Sequence, residues 1–251
     1  MPRYPSRYPS SFSFGPGPLS TAMKALIGAN VAMFLAMQFL PEPATIDALG
    51  LVPRSFLTRL WFWQPVTYMF LHDPRSVFHI LFNMLALWMF GAELERIWGT
   101  RYFLKFYFVT GAGAGLLTAL VSLLPLAFTR PLFDAAIIGA SGAIYGLLLA
   151  YGMYFPDRPI YIFGVFPIPA KTLVMILGAI ALYASLSQVG GTANATHLGG
   201  LLVGYLFLKS GRAHPLGELK YRYLKWKINR VRKKFDVYSG GRADDYDRRV
   251  H

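Results

Sequence analysis

Four polar side chains in apolar surroundings carry the chemistry that this sequence offers. Ser141 lies in a Gly-Ala-Ser-Gly sequence that begins at Gly139, where a strongly apolar stretch starts. His79 and Asn83 are four residues apart in a second apolar stretch, and His197 begins a third. Polar residues of this kind are costly inside apolar helices and are therefore candidates for function.

These residue types fit the hydrolysis of a peptide bond. A serine hydroxyl is a poor nucleophile until a neighbouring base takes its proton, and His197 is the candidate base for Ser141. The developing oxyanion needs hydrogen-bond donors, and the Ser141 N–H, the Asn83 amide and the His79 ring are suitable. No Asp or Glu lies nearby in an apolar stretch. The pattern therefore predicts a catalytic dyad rather than a Ser-His-Asp triad.

Pairs of glycines predict how two of the helices meet. Gly142 and Gly146 are four residues apart, and so are Gly200 and Gly204. Small residues at this spacing allow membrane helices to approach closely. If the two glycine faces meet, the candidate nucleophile comes within hydrogen-bond reach of the candidate base.

Tyr145 follows Ser141 by one helical turn and lies on the same face. We expect its ring to pack on His197 and hold the orientation of the imidazole. Each polar residue also has a simpler explanation: His79 and His197 as histidines at helix starts, and Asn83 as a bond between helices. Singly these explanations are the better ones. Jointly they must account for several polar residues at one depth, which favours catalysis.

The composition indicates a membrane protein. The chain has 251 residues, of which 55% are hydrophobic and 15% are charged, whereas a soluble domain carries about 25% charged residues. Apolar residues gather in runs of the length that spans a bilayer. We predict an all-α, polytopic fold with six transmembrane helices, at about 23–40, 77–94, 102–124, 138–155, 171–186 and 195–208. Segment 42–76 is interpreted as a partly embedded loop with short helices, and segment 160–168 as interfacial.

Charge placement predicts the orientation and excludes some partners. The formal net charge is +13, and about half of the Lys and Arg residues lie from Lys209 onward. The positive-inside rule then places both termini in the cytoplasm and the polar cluster near the outer face. Anionic lipid is the expected partner of the basic tail, and nucleic acid is not expected. The chain has no cysteine, which excludes disulfides, thiol nucleophiles and cysteine-ligated metals.

Three parts of the chain follow from these patterns. Residues 1–20 are expected to be a disordered cytoplasmic segment, since they are rich in Pro, Ser and Gly. Residues 21–210 form the membrane domain. Residues 211–251 form a basic cytoplasmic tail, in which 218–235 alternates basic with aromatic or aliphatic residues. That alternation fits an amphipathic helix on anionic lipid, or equally a solvated helix.

At the polar cluster the sequence resembles the rhomboid family of intramembrane serine proteases. Residues 139–142 are similar to its Gly-x-Ser-Gly nucleophile motif, and residues 79–83 to its second-helix His-x-x-x-Asn motif. Residues 197–204 are similar to its sixth-helix His-x-x-Gly-x-x-x-Gly motif. The resemblance covers about residues 23–209.

The resemblance implies a function for each matching residue. Ser141 and His197 would form the dyad, and His79, Asn83 and the Ser141 N–H would form the oxyanion hole. Transmembrane proteins would be the substrates, cleaved near their outer ends at small residues beside locally unstable helix. No cofactor or metal is implied. We expect a multi-pass protein of a bacterial-type plasma membrane.

Three positions depart from the family pattern. Trp63 is followed by Gln64, where many members have a Trp-Arg pair. His72 lies farther before the second-helix motif than the corresponding histidine of many members, and it receives no role. Thr196 stands where an alanine is usual.

Other functions predict other features. An inactive rhomboid-like protein that binds membrane clients typically lacks the serine or the histidine, and both are present here. A small-molecule transporter predicts internal repeats and a charged residue at mid-membrane. A lipid-binding scaffold that uses the basic tail leaves the motifs of the apolar helices unexplained.

Overall fold

A computed structural model describes residues 17–126, 129–162, 164–187 and 193–212. The chain divides into two compact units, Met1–Leu208 and Lys209–His251. The predicted disorder before residue 17 and the basic tail from 213 onward lie outside the described residues. The domain boundaries at residues 20 and 210 and the lipid-binding helix therefore stay predictions.

Helices dominate the described part of the chain. They are α1 Thr21–Ala36, α2 Glu42–Leu49, α3 Pro53–Arg59, α4 Gln64–Thr67, α5 Val77–Ala86, α6 Ala92–Trp98, α7 Thr100–Val121, α8 Arg130–Asp134, α9 Ser141–Tyr154, α10 Ala170–Leu186 and α11 Ala193–Arg212. A 3₁₀ turn at Tyr68–Phe70 follows α4, and a π-helical turn at Leu87–Gly91 joins α5 to α6. Each predicted span contains helix.

Length and hydropathy distinguish these helices. Within the described ranges, Val77–Trp98 and Thr100–Val121 are long and apolar enough to cross a membrane. Helices α1 and α10 are apolar but shorter, with 16 and 17 residues. The fold is thus mostly helical with two candidate spans, and the count of six stays a prediction.

The prediction of an all-α fold misses a small β-hairpin. Strands β1 Pro159–Ile162 and β2 Phe166–Pro169 pair antiparallel, with Pro159 opposite Pro169 and Ile162 opposite Phe166. The segment had been interpreted as apolar and interfacial. Its isoleucine and aromatic residues favour strands, the prolines at its ends oppose a continuous helix, and Gly164 has a positive φ of 73° between the strands.

Helix α9 lies at the centre of the membrane domain. Nine of its 14 residues are buried, and they are found all round the helix. It packs against α5, α7 and α10. A helix that is apolar on every side is typical of a protein interior. Ser141, the first residue of α9, is therefore carried by the most enclosed helix of the fold.

Gln64 fixes the loop between α1 and α5 at a position where the family pattern has arginine. The side chain is fully buried. Its Nε2 donates to the Asp47 carbonyl at 2.8 Å, and its Oε1 accepts from the Val52 N–H at 3.3 Å. The adjacent Trp63 donates its indole N–H to the Ala48 carbonyl at 2.8 Å. A neutral amide thus ties α2 to the start of α3 without an arginine.

Candidate active site

Ser141 and His197 form a direct hydrogen-bonded pair. Ser141 begins α9, and His197 lies in the second turn of α11. The His197 Nε2 is 2.8 Å from the Ser141 Oγ. The other ring nitrogen, Nδ1, is buried without a hydrogen-bond partner in the described part of the chain. A neutral imidazole with its hydrogen on Nδ1 can accept the serine proton at Nε2.

Tyr145 holds the plane of the His197 ring. The two rings stack with their centroids 4.1 Å apart and an interplanar angle of 5°. Tyr145 lies one turn after Ser141 on α9, so one helix supplies both the hydroxyl and the surface that orients the imidazole. The arrangement has the geometry expected from the spacing of these residues.

Contact between glycines makes the serine–histidine distance possible. A Cβ built on Gly200 would overlap the carbonyl oxygen of Gly142. A Cβ on Gly204 would lie 3.1 Å from the Cα of Gly146. The two helices therefore touch backbone to backbone at both levels, a separation that only small residues permit.

We expect Gly200→Ala to destabilise the protein, because the added methyl group must displace the main chain of α9. Overpacking of this kind costs about 1–3 kcal/mol. Gly28→Ala is the matched control, since a Cβ on Gly28 in α1 meets no atom within 4 Å, and alanine is favoured over glycine in helices by about 0.5–1 kcal/mol. Thermal unfolding in detergent measures both. Equal melting temperatures for the two variants would contradict this packing.

The approach to Ser141 is held by main-chain bonds from the loop between α1 and α5. Leu51 and Ile137 exchange both of their main-chain hydrogen bonds, at 3.0 and 2.9 Å. The Gly139 N–H donates to the Tyr68 carbonyl at 2.9 Å. These bonds fix Ile137 and Gly139 in the segment before the helix start, and with them the position of the serine main chain.

Gly139 allows the main chain before Ser141 to pass close to the His79 ring. Its φ is +116°, a backbone angle that residues other than glycine rarely adopt. A Cβ at this position would lie 3.0 Å from the His79 Nε2 and 3.8 Å from the Ser141 Oγ. The absence of a side chain therefore lets a candidate oxyanion donor, the His79 ring, lie near the candidate nucleophile.

The start of α9 supplies further donors. Ala140 precedes the helix and makes no side-chain cap, so the first N–H groups of α9 have no acceptor within the helix. A helix N-terminus also carries partial positive charge. The Ser141 N–H therefore lies where negative charge on a reacting oxygen would be stabilised.

His79 is oriented by the turn that precedes it. Ser76 caps α5 by accepting from the His79 N–H at 3.3 Å. The Asp73 N–H donates to the His79 Nδ1 at 3.4 Å. A neutral imidazole that accepts at Nδ1 carries its hydrogen on Nε2. The nitrogen next to Gly139 is therefore the donor.

Asn83 lies one turn after His79 and is buried. Its Nδ2 donates to the His79 carbonyl at 2.7 Å. That bond uses one of the two amide hydrogens, and the other remains for a ligand. The place of Asn83 in the site follows from the helix face that it shares with His79, and its oxyanion role stays a prediction.

Asp134, the nearest acidic residue before Ser141 in the sequence, pairs with a residue outside the site. It forms an exposed ion pair with Arg54. The hydrogen bond from this guanidinium holds the pKa of Asp134 below its ordinary value. In the described ranges, no group of three or more His, Cys, Asp or Glu could hold a metal ion.

Tyr68 supports the site and was not found from the sequence. It is fully buried, and besides accepting from Gly139 it donates its hydroxyl to the Gly111 carbonyl at 2.7 Å. A Cβ on Gly142 would lie 2.9 Å from that hydroxyl. The sequence showed only one more tyrosine in an aromatic loop, and no local signal marks its contacts.

Thr196 explains one departure from the family pattern. Its hydroxyl lies 3.1 Å from that of Thr118 on α7, and both residues are buried. A Cβ on Gly142 would lie 3.1 Å from the Thr196 methyl group. The threonine therefore joins α11 to α7 next to His197, a contact that alanine cannot make.

Comparison with known proteins identifies relatives of the chain. A family model described as the Rhomboid domain matches residues 59–211. The Saccharomyces cerevisiae protein named "Rhomboid protein 1, mitochondrial" is 33% identical over 187 residues, which cover 73% of this chain and 51% of that protein.

Two bacterial relatives are named as proteases. Rhomboid protease AarA of Providencia stuartii is 30% identical, over 60% of this chain and 56% of the relative. Rhomboid protease GlpG of Yersinia enterocolitica is 28% identical, over 76% of this chain and 61% of the relative. The matches with these three relatives span between half and three fifths of the relatives' own length.

Proposed function

The chain belongs to the rhomboid family of integral membrane proteins, and we propose that it is a serine endopeptidase that cleaves transmembrane proteins with a Ser141–His197 dyad. The observation that carries the proposal is the 2.8 Å separation of the Ser141 Oγ and the His197 Nε2. The bacterial relatives named as proteases support the same activity.

The chemistry proceeds by acyl transfer. As the Ser141 Oγ attacks the scissile carbonyl carbon, His197 takes the hydroxyl proton at Nε2. The resulting oxyanion accepts hydrogen bonds from the Ser141 N–H, the His79 Nε2–H and the Asn83 amide. His197 then gives its proton to the leaving amine, and the C–N bond breaks. Water hydrolyses the acyl-enzyme ester, with His197 as the base again.

The length of α9 supports a site below the membrane surface. Its 14 residues extend about 21 Å at 1.5 Å per residue. The hydrocarbon core is about 30 Å thick, so a helix that starts at the inner surface would place Ser141 about 9 Å below the outer one. Water must then reach the dyad from the outer side, where we place the cleavage of substrates.

The proposed orientation has both termini in the cytoplasm, which the absence of cysteine makes straightforward to test. A single cysteine at Thr58→Cys, an exposed residue of the loop between α1 and α5, should react with an impermeant maleimide in intact cells. A single cysteine at Ser239→Cys in the tail should react only in inside-out vesicles. The opposite pattern would move the dyad to the cytoplasmic side.

Covalent labelling tests the proposed function. The purified protein should react with a fluorophosphonate probe at Ser141, because an activated serine attacks the phosphorus as it attacks a carbonyl carbon. Mass spectrometry of the labelled peptide identifies the site, and Ser141→Ala serves as the control. Absence of labelling together with binding of membrane proteins would favour the client-binding alternative.

A further inference from the structure

His72 is a buried histidine that the proposed mechanism does not use. Its side chain is fully buried, and neither ring nitrogen has a hydrogen-bond partner of good geometry among the described residues. Buried polar atoms without partners are uncommon and costly, so each needs an explanation. The neighbour that suggests one is His79.

The two histidine rings are in direct contact. Their centroids are 4.9 Å apart, and the planes meet at 60°, an edge-to-face arrangement. Burial, with a smaller contribution from His79, lowers the pKa of His72 to about 4. The ring of His72 is therefore neutral at neutral pH. It packs against His79 as an uncharged aromatic ring.

The turn after His72 contacts His79 at a second point. Asp73, the next residue, donates its N–H to the His79 Nδ1. The turn itself is held in place: the Asp73 carboxylate accepts from the Arg75 N–H at 2.9 Å, and the Gln38 side chain donates to the Pro74 carbonyl at 3.2 Å. His72 and Asp73, which are consecutive in this turn, thus contact the ring of His79 and its Nδ1, respectively.

A single contact would orient His79 poorly. The Asp73 bond is 3.4 Å long, beyond the usual range for N–H donors. Rotation of the ring about its Cβ–Cγ bond would break that bond and turn Nε2 away from Gly139. The contact with the His72 ring opposes this rotation.

We propose that His72 is a positioning residue that holds the His79 ring with its Nε2–H directed at the space beside Gly139. The inference rests on the proposed function of His79 as an oxyanion donor. His72 itself contacts neither the substrate nor the reacting atoms. This role depends on the shape of the His72 ring and needs no hydrogen bond from its nitrogens.

His72→Leu separates positioning from stability. Leucine fills a similar volume, and since neither nitrogen has a hydrogen bond of good geometry among the described residues, an apolar replacement removes a desolvation cost. The melting temperature should therefore not fall. The value of kcat should fall about tenfold to a hundredfold, as expected for a misplaced catalytic group, with KM unchanged. His72→Phe keeps a ring edge and should recover most of the activity.

A double-mutant cycle shows whether His72 acts through His79. In a His79→Ala background, His72→Leu should have no further effect on kcat, because the group that it positions is gone. Tyr107→Phe is the control, since this tyrosine of α7 is also fully buried. It should change neither kcat nor the cycle. The inference would be overturned if His72→Leu reduced kcat by the same factor in the wild type and in the His79→Ala background.

A spectroscopic test does not depend on activity. The chain has five histidines, and ¹⁵N spectra of the labelled protein distinguish the two tautomers of each neutral ring. His79→Ala assigns the His79 signals. These should show hydrogen on Nε2 in the wild type and a mixture of tautomers in His72→Leu.

Unchanged tautomer signals in His72→Leu would overturn the inference even in a protein without protease activity. If His72→Leu cleaves the substrate at the wild-type rate, the inference about His72 is also overturned, while the proposed function stands. If the wild-type protein neither cleaves substrate nor reacts with the fluorophosphonate probe, the proposed function fails. The tautomer signals of His79 test the inference separately.

Discussion

Ser141→Ala is expected to abolish cleavage of a transmembrane substrate, and His197→Ala should do the same. Each variant removes one half of the pair joined at 2.8 Å. Residues that act as one unit lose activity on the order of 10⁶-fold, and their losses do not add. The double variant should therefore be no slower than either single one. Cleavage of a reconstituted substrate, followed by electrophoresis and mass spectrometry, measures all three.

Two controls separate chemistry from folding. Ser187→Ala makes the same substitution at an exposed serine after α10, and its rate should equal that of the wild type. Ser141→Ala should change the free energy of unfolding by no more than about 1 kcal/mol, since it removes one partly buried hydroxyl. Cleavage at the wild-type rate by Ser141→Ala would refute the dyad.

His79→Ala is expected to reduce kcat by about 10²–10³-fold, the usual cost of removing one oxyanion donor. Its Nε2 lies 3.0 Å from the position that a Cβ on Gly139 would take, so this nitrogen is close to the main chain just before Ser141. Asn83→Ala should have an effect of the same order. Because these bonds strengthen in the transition state, KM should stay nearly constant while kcat and kcat/KM fall together.

Leu81→Ala is the matched control for this pair of variants. Leu81 lies between them on α5, and it is 51% exposed on another face of the helix. Its substitution should leave kcat unchanged. If Asn83→Ala also leaves kcat unchanged, its bond to the His79 carbonyl is structural and the oxyanion is held by other donors. If His79→Ala also leaves kcat unchanged, the reacting oxygen is not stabilised by the His79 ring.

The sequence predicted the helices because apolar runs are a local pattern, and the roles that it assigns to the polar residues of the site stay predictions. Apolar runs located helix in each of the six segments. The spacing of Gly142, Gly146, Gly200 and Gly204 predicted a close helix contact, and the structure has these glycines backbone to backbone. Periodicity places residues on a face, which is enough to group them without coordinates.

Periodicity did not predict the β-hairpin at Pro159–Pro169. A short apolar segment bounded by prolines fits both an interfacial segment and a pair of strands, since its length excludes neither. Its strand pairing depends on a turn at Gly164 and on the path of the chain after α9. Hydrophobicity alone carries no information on that path.

Only the tertiary structure revealed what holds the site in place. Leu51 bonds to Ile137, Tyr68 to Gly139 and Asp73 to His79, and in the first two pairs the partners are more than 70 positions apart in the chain. The first two pairs join main-chain N–H and carbonyl groups, and Asp73 donates its main-chain N–H; every residue has a main-chain carbonyl, and every residue but proline has the N–H. Residue type therefore leaves no mark of them. The sequence predicted which groups could react, and the path of the loop between α1 and α5 decided how those groups are positioned.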